Sequence, residues 1–203
     1  NLGVLYKRQN RLGEAQQQFR ALLAVSPDII HARLNLADLL IRQGQWRQAE
    51  AELLRALEFA DTDGLAQKKL ALIALQYHGD PGRAIAYGDQ ALIQSPDAAT
   101  WTTQGVALRM LGRFAEAEKA YRRALATEPE SVDIWLNLGN LYRDLGQLNM
   151  ALGAYENVAQ KGGSSPLVER AIREIKAIKF GGLRSILFNH FSNPLSHPGE
   201  SLG

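Results

Sequence analysis

At 203 residues, 46% of them hydrophobic and 22% charged, the chain has ample material for a buried core and lacks the apolar-poor, highly charged composition of a disordered segment. Zero cysteines exclude a disulfide framework, a thiolate metal site and a cysteine nucleophile, and a net charge of +2 gives no global pull toward nucleic acid or an anionic membrane surface. No apolar run approaches the roughly 18 residues that cross a bilayer, and NLGVLYKRQN lacks the order of a secretory signal, so no membrane insertion is expected and the compartment stays open.

In chain order, apolar residues recur at helical spacing in pairs of segments: 1–9 with 12–25, 30–42 with 46–59, 64–77 with 81–94, 98–111 with 114–127, and 132–145 with 148–160. Lys161-Gly162-Gly163 then stops the pattern, and Ser164-Ser165-Pro166 reads as a helix start with a capping serine and proline in the first turn. Within 164–180, a helix over 166–179 places Val168, Ala171, Ile172, Ile175 and Ile178 on one face, as a cap for the last pair or, alternatively, as a partner-binding amphipathic helix. Gly181-Gly182 is expected to break this helix and open a tail over 181–203. In that tail Leu183, Ile186, Leu187 and Phe191 suit a short helix, and residues past Asn193-Pro194 run loose.

The pairs are copies of one another. Turn residues stand at Asn10, Gly44, Gly79, Gly112 and Gly146, separated by 34, 35, 33 and 34 residues. Ala15, Ala49, Ala84, Ala117 and Ala151 keep step, as do Phe19, Leu53, Gly88, Tyr121 and Tyr155, and Pro27, Asp61, Pro96 and Pro129 close the units. Small residues at Gly3, Ala37, Gly105 and Gly139 let two backbones approach, whereas the third copy has Leu72 at that count. A single hairpin cannot bury its apolar face, so the units must stack. The expected fold is all-α, with units over 1–29, 30–64, 65–97, 98–131 and 132–163.

The stretch WLNLGNLYRDLGQLNMALGAY (135–155) resembles the tetratricopeptide repeat, whose helix-turn-helix unit carries W-x2-L-G-x2-Y, then Gly, then A-x3-Y. The resemblance covers about 1–161 and implies a right-handed superhelical solenoid that binds other proteins without catalysis. A pentatricopeptide RNA binder, also an array of helical hairpins, is the competing repeat reading; modest charge and the Leu-Gly-x-x-Tyr signature weigh against it. Because Asn1 already stands just before the Leu-Gly pair, the chain is expected to be part of a longer protein.

No catalytic, cofactor or metal site is expected. Gly199-Glu200-Ser201-Leu202-Gly203 fits G-x-S-x-G but lacks the flanking strand and helix; His31, His78, His190 and His197 are scattered without ligand spacing; the glycines form no phosphate-cradling loop. What remains is the concave face. The family resemblance implies a contact residue just before each Leu-Gly pair, counted here as Asn1, Asn35, Leu70, Thr103 and Asn137, and a ladder of asparagines resembles the peptide-holding arm of O-linked N-acetylglucosamine transferases. An amide matches a peptide group whatever the bound side chain. Lys7, Arg8, Arg42, Lys69, Arg109 and Arg143 share that face with Asp38 and Asp144. Asn35 and Lys69 match the carboxylate clamp of chaperone-binding members, although Leu70 departs from it. The candidate contacts are Asn35, Arg42, Lys69, Arg109, Asn137, Asn140 and Arg143. The expected partner is another protein, through an extended segment of acidic character. Two alternatives stay open: self-association through 183–191, and a substrate-recruiting arm of a larger, glycosyltransferase-like enzyme.

Overall fold

The computed structural model describes residues 2–59, 64–163 and 165–191, with 180–191 as backbone. Asp61, Ser164, the segment past Asn193-Pro194 and the Gly199–Gly203 motif lie outside the described residues. All regular structure among the described residues is helical. Five hairpins follow one another: α1 (Leu2–Arg8) with α2 (Leu12–Val25), α3 (Ile30–Arg42) with α4 (Trp46–Phe59), α5 (Gly64–Gln76) with α6 (Pro81–Gln94), α7 (Ala98–Met110) with α8 (Phe114–Thr127), and α9 (Val132–Asp144) with α10 (Leu148–Gln160). The last helix is α11 (Pro166–Phe191). Each hairpin packs on the next, and the first helices also meet one another, α5 with α7 and α7 with α9, which puts that row on the inner side of a superhelical solenoid.

The turns are tight because the backbone passes through the left-handed region once per hairpin, at Asn10 (φ 59°), Gly44 (φ 70°), Gly79 (φ 61°), Gly112 (φ 71°) and Gly146 (φ 69°). Glycine enters that region without a Cβ penalty, and asparagine is the side chain that tolerates it best. In four of the five hairpins a small residue on the first helix faces a large one on the second. A Cβ on Gly3 would fall 2.9 Å from the Phe19 ring, on Gly105 2.5 Å from Tyr121 and on Gly139 2.7 Å from Tyr155. Phe19, Tyr121 and Tyr155 are fully buried as a result. The second hairpin uses Ala37 and Leu53, both buried, for the same purpose.

The third hairpin departs from its sequence count. The inner helices start at 30, 64, 98 and 132, each 34 after the last, so the residue equivalent to Ala37, Gly105 and Gly139 is Ala71 and not Leu72. An additional turn residue explains the offset: 77–80 join α5 to α6, where 43–45, 111–113 and 145–147 suffice elsewhere. The connection 95–97 is then one residue shorter than 128–131, which restores the period. By the same correction Leu70 is a core residue, 1% exposed, and Lys69 takes the groove position assigned to it. Facing Ala71 is Gly88, and Gln104 of α7 fills the space: a Cβ on Gly88 would meet its Cγ at 2.9 Å, and its amide donates to Asp89 at 2.6 Å.

Capping is as expected at α11, where Ser165 Oγ accepts from Val168 N at 3.3 Å. Val168, Ala171 and Ile175 are buried against the fifth hairpin, but Ile178 is 59% exposed and takes no part. The helix also runs on through Gly181-Gly182, where the sequence suggests a break. Each glycine costs a helix interior only about 1 kcal/mol, and no proline interrupts 167–191, so nothing there forces a stop.

Gly105→Ala should destabilise the protein by about 1–3 kcal/mol through overpacking against Tyr121, more than the helix-propensity gain of under about 1 kcal/mol. Adding Tyr121→Leu, which recreates the Ala–Leu pair of the second hairpin, should recover part of that loss in urea titrations; independent, additive effects would contradict the pairing.

Candidate functional site

Since the inner helices repeat at a fixed interval, equivalent side chains form columns across the concave face. Five residues into each helix stand Asn35, Lys69, Thr103 and Asn137; eight in stand Asp38, Leu72, Val106 and Asn140. The first column is polar throughout, and the second is polar at both ends of the array and apolar in the middle.

At the N-terminal end Lys7 and Lys69 are not free. Lys7 Nζ reaches forward from α1 to Asp38 at 2.9 Å and to the Asn35 side-chain oxygen at 3.0 Å, while Lys69 reaches back from α5 to the other Asp38 oxygen. Burial alone pushes the Asp38 carboxyl up, but the hydrogen bonds from Lys69 and Lys7 outweigh it and hold the group below the usual carboxylate range. Asn35 spends an N–H on the His31 carbonyl of its own helix at 2.8 Å. Arg42 is exposed and joins no hydrogen bond or ion pair among the described residues.

The middle holds an open hollow of about 600 Å³ across α5, α7 and α9. Its apolar lining is Leu72, Leu75, Val106, Met110 and Leu136, and Thr103 and Asn137 stand among them. Here too the polar groups are partly spent locally: Thr103 Oγ1 donates to the Ala99 carbonyl at 2.9 Å and Asn137 Nδ2 to the Asp133 carbonyl at 2.9 Å. The Asn137 side-chain oxygen still faces outward as an acceptor with no partner among the described residues.

Toward the C-terminus Arg109 pairs with Asp144 at 2.6 Å, tying the fourth unit to the fifth. Behind that pair the Tyr121 hydroxyl is buried, and desolvation pushes its pKa up to about 12. A second hollow of about 460 Å³ lies between α9 and α11, with Asn140, Arg143 and Tyr155 in its wall. The Tyr155 hydroxyl, whose pKa is raised by burial, donates to the Asn140 side-chain oxygen at 2.8 Å. That bond occupies the Asn140 side-chain oxygen, and its amide nitrogen has no hydrogen-bond partner among the described residues. Arg143, one turn on, is exposed and has no carboxylate partner among the described residues.

The structure therefore brings Asn137, Asn140 and Arg143 to one end of the face and Asn35 and Lys69 to the other, with Lys69 and Arg109 already ion-paired and Arg42 apart. Sequence reasoning missed the apolar floor. Leu72 and Val106 each stand one residue past the small positions Ala71 and Gly105, and Leu75, Met110 and Leu136 line the same hollow, a signal present in the 34-residue register once the third unit is counted from its helix start.

Tetratricopeptide repeat family models match residues 7–73, 69–117 and 102–166. The chain is 25% identical over 183 residues to the human Protein O-mannosyl-transferase TMTC1, covering 88% of this chain and 21% of that protein. It is 24% identical over 169 residues to Superkiller protein 3 of Schizosaccharomyces pombe, covering 78% of this chain and 12% of that protein. It thus spans about a fifth or less of the length of these relatives. Among solved structures it is similar to PilW, described as a type IV pilus biogenesis factor, with a TM-score of 0.77 at 18% identity over 96% of this chain and 92% of that one. It is also similar to YrrB, described as a TPR protein with an unusual peptide-binding site, with a TM-score of 0.72 at 18% identity over 85% and 89% of the two chains. At such identities the likeness is one of fold.

Because the folded-state pKa of Asp38 lies below its unfolded value of about 3.9, its contribution to stability is fully present above that value and is lost as pH falls through the folded pKa. Thermal melts from pH 6 to pH 3 should therefore show Asp38→Asn losing less stability on acidification than the parent protein. Equal losses would mean that the lysine contacts do not hold the carboxylate.

Proposed function

Given that the chain belongs to the tetratricopeptide repeat family, whose arrays serve as protein interaction scaffolds, we propose that its concave face holds an extended segment of another protein. The carrying observation is the open, apolar-floored hollow across α5, α7 and α9, continuous in register with the donor-rich wall at Asn140 and Arg143. Adjacent helices pack about 8–10 Å apart, so the span from α5 to α11 is about 25–30 Å, which an extended chain at about 3.3 Å per residue crosses in about eight or nine residues.

Apolar side chains of the segment seat on Leu72, Leu75, Val106, Met110 and Leu136. Their burial, at about 25 cal/mol per Å², supplies most of the affinity. The Asn137 oxygen accepts a backbone N–H, the Asn140 amide donates to a backbone carbonyl, and Arg143 receives an acidic side chain. Each neutral hydrogen bond nets only about 1 kcal/mol, so the amides set register and direction more than strength. Arg42 stands at the far end as a second free cation. Lys69, Arg109 and Asn35 shape the face through their internal pairs. The similarity in fold to a protein described as having a peptide-binding site supports this reading.

A recruiting arm of a larger enzyme is the second reading, favoured by the similarity to an O-mannosyl-transferase of which the chain covers 21%. It uses the same groove, with catalysis supplied elsewhere. Self-association through 183–191 depends on side chains outside the described residues.

Panning a random peptide display library on the intact protein should enrich segments with spaced apolar residues and an acidic one toward the Arg143 end. Leu72→Lys, and separately Asn137→Ala with Arg143→Ala, should each weaken the selected peptides about tenfold or more. Undiminished binding by both folded variants would rule out this groove.

A further inference from the structure

We infer that Asp38 is a built-in carboxylate ligand, filling an anion site formed by Lys7 and Lys69 and thereby withholding that site from acidic ligands. The inference deepens the proposed function and rests on the concave face being the binding surface. Its claim is about ligand polarity: acidic residues are admitted at Arg143 and refused by the lysine pair that Asp38 occupies.

The geometry comes first. Two ammonium groups from two different units converge on one carboxylate carried by the unit between them, one on each oxygen. Their side chains are only 20% and 19% exposed, against 30% for Asp38, so both lysines lie along the face instead of extending into solvent. Asn35 contributes its side-chain oxygen to Lys7 and so positions that ammonium, while one of its two N–H groups is held by the His31 carbonyl.

Repeat register separates this trio from ordinary scaffolding. The positions equivalent to Asp38 are Leu72, Val106 and Asn140, so the solenoid does not need a carboxylate there to stack its units. Nor is the trio neutral, since two cations meet one anion and a positive charge is left over. A foreign carboxylate would find an attractive field, but both donors are already committed to an intramolecular acceptor at high effective concentration. A segment lying across α1, α3 and α5 thus gets no charge pairing from Lys7 or Lys69, and the cations left without a partner there among the described residues are Arg8 and Arg42, beyond the trio. The unpaired Arg143, beside the Asn140 amide, remains as the acidic subsite.

The experiment removes the internal acceptor. The intact protein and its Asp38→Ala variant are titrated, by NMR or fluorescence anisotropy, with a short labelled peptide that carries two aspartates and a free carboxyl end, and with a neutral counterpart carrying asparagines and an amidated end. The expected result is binding of the acidic peptide at least tenfold tighter by Asp38→Ala than by the parent, weakening as salt is raised. That gain should disappear in the triple variant with Lys7→Ala and Lys69→Ala, and the neutral peptide should show no gain. Should Asp38→Ala fail to fold, Asp38→Ser is measured in its place; its hydroxyl leaves both lysine charges uncompensated. Equal affinity of parent and variant for the acidic peptide, or a gain that survives loss of both lysines, overturns the inference and makes the trio a structural tie only. Because the display experiment reads residues of α5 and α9, its peptides can bind while Asp38→Ala gains nothing, which would sink this inference alone. A gain by Asp38→Ala alongside failed display would sink the groove reading alone.

Discussion

The close approach of two helices within each hairpin is the constraint on which the rest of the molecule depends. A glycine or alanine on the inner helix makes room for one large side chain on the outer helix, and the ring or leucine so trapped is removed from water completely. Gly3 with Phe19, Gly105 with Tyr121 and Gly139 with Tyr155 are three instances, and Ala37 with Leu53 is a fourth at smaller scale. The pair fixes the depth at which the hairpin closes, and hence the shape it shows its neighbour. A hairpin still leaves one apolar flank uncovered, so stability accrues only by stacking, and α11 covers the last flank through Val168, Ala171 and Ile175.

Stacking in one direction also decides what the inner face can do. Core positions are consumed by contacts within and between hairpins, and only the columns pointing away from the seam remain. Those columns are short of free charge, because the cations at the junctions between units mostly serve the junctions. Lys7 and Lys69 close on Asp38, and Arg109 closes on Asp144. A groove that looks basic in composition therefore has its central cations paired, and the cations without a partner among the described residues, Arg8, Arg42 and Arg143, lie toward its two ends. Affinity for an extended segment must come chiefly from the apolar floor in the middle, since hydrophobic burial needs no unpaired charge and exposed ion pairs contribute little.

The fold was legible in the sequence because each of its determinants is local and recurs. Helical periodicity, a turn residue able to adopt positive φ, and a small residue opposite a large one each repeat every 34 residues or so, and a register seen five times is robust to one irregular copy. That irregular copy is where counting failed. The additional residue in 77–80 and the shorter connection at 95–97 cancel over a full unit, so the turn glycines keep nearly the right spacing while the residues between them shift by one. Counting back from Gly79 gave Leu72 as the small position and Leu70 as the groove contact, whereas the helix start at Gly64 gives Ala71 and Lys69. The site was harder to read for a different reason. Residue type shows that Lys69 and Arg109 carry charge, but not that Asp38 and Asp144 already hold it, since those pairs form between residues 31 and 35 apart in the chain. In the same way Asn35 and Asn137 lie where a peptide-binding asparagine would, yet each commits an N–H to its own helix, and Asn140 is the one whose amide nitrogen has no partner among the described residues.

The irregular third unit bears on function as well as on counting. Its Ala71 and Gly88 are both small, Gln104 of the next unit fills the space beside Gly88, and Leu70 and Ile73 carry much of its share of the buried core. In a linear array, where cooperativity passes only between neighbours, this unit depends on that borrowed side chain. The same unit supplies Leu72 and Leu75 to the groove floor. Leu75 also packs against Ala74, Ala84 and Ala107, so it joins the groove floor to the core behind it. A segment bound there covers α5, α7 and α9 together, so ligand binding and stiffening of the array are coupled through one set of side chains. That coupling follows from the packing already described, because any group that binds only the stacked form stabilises it by mass action.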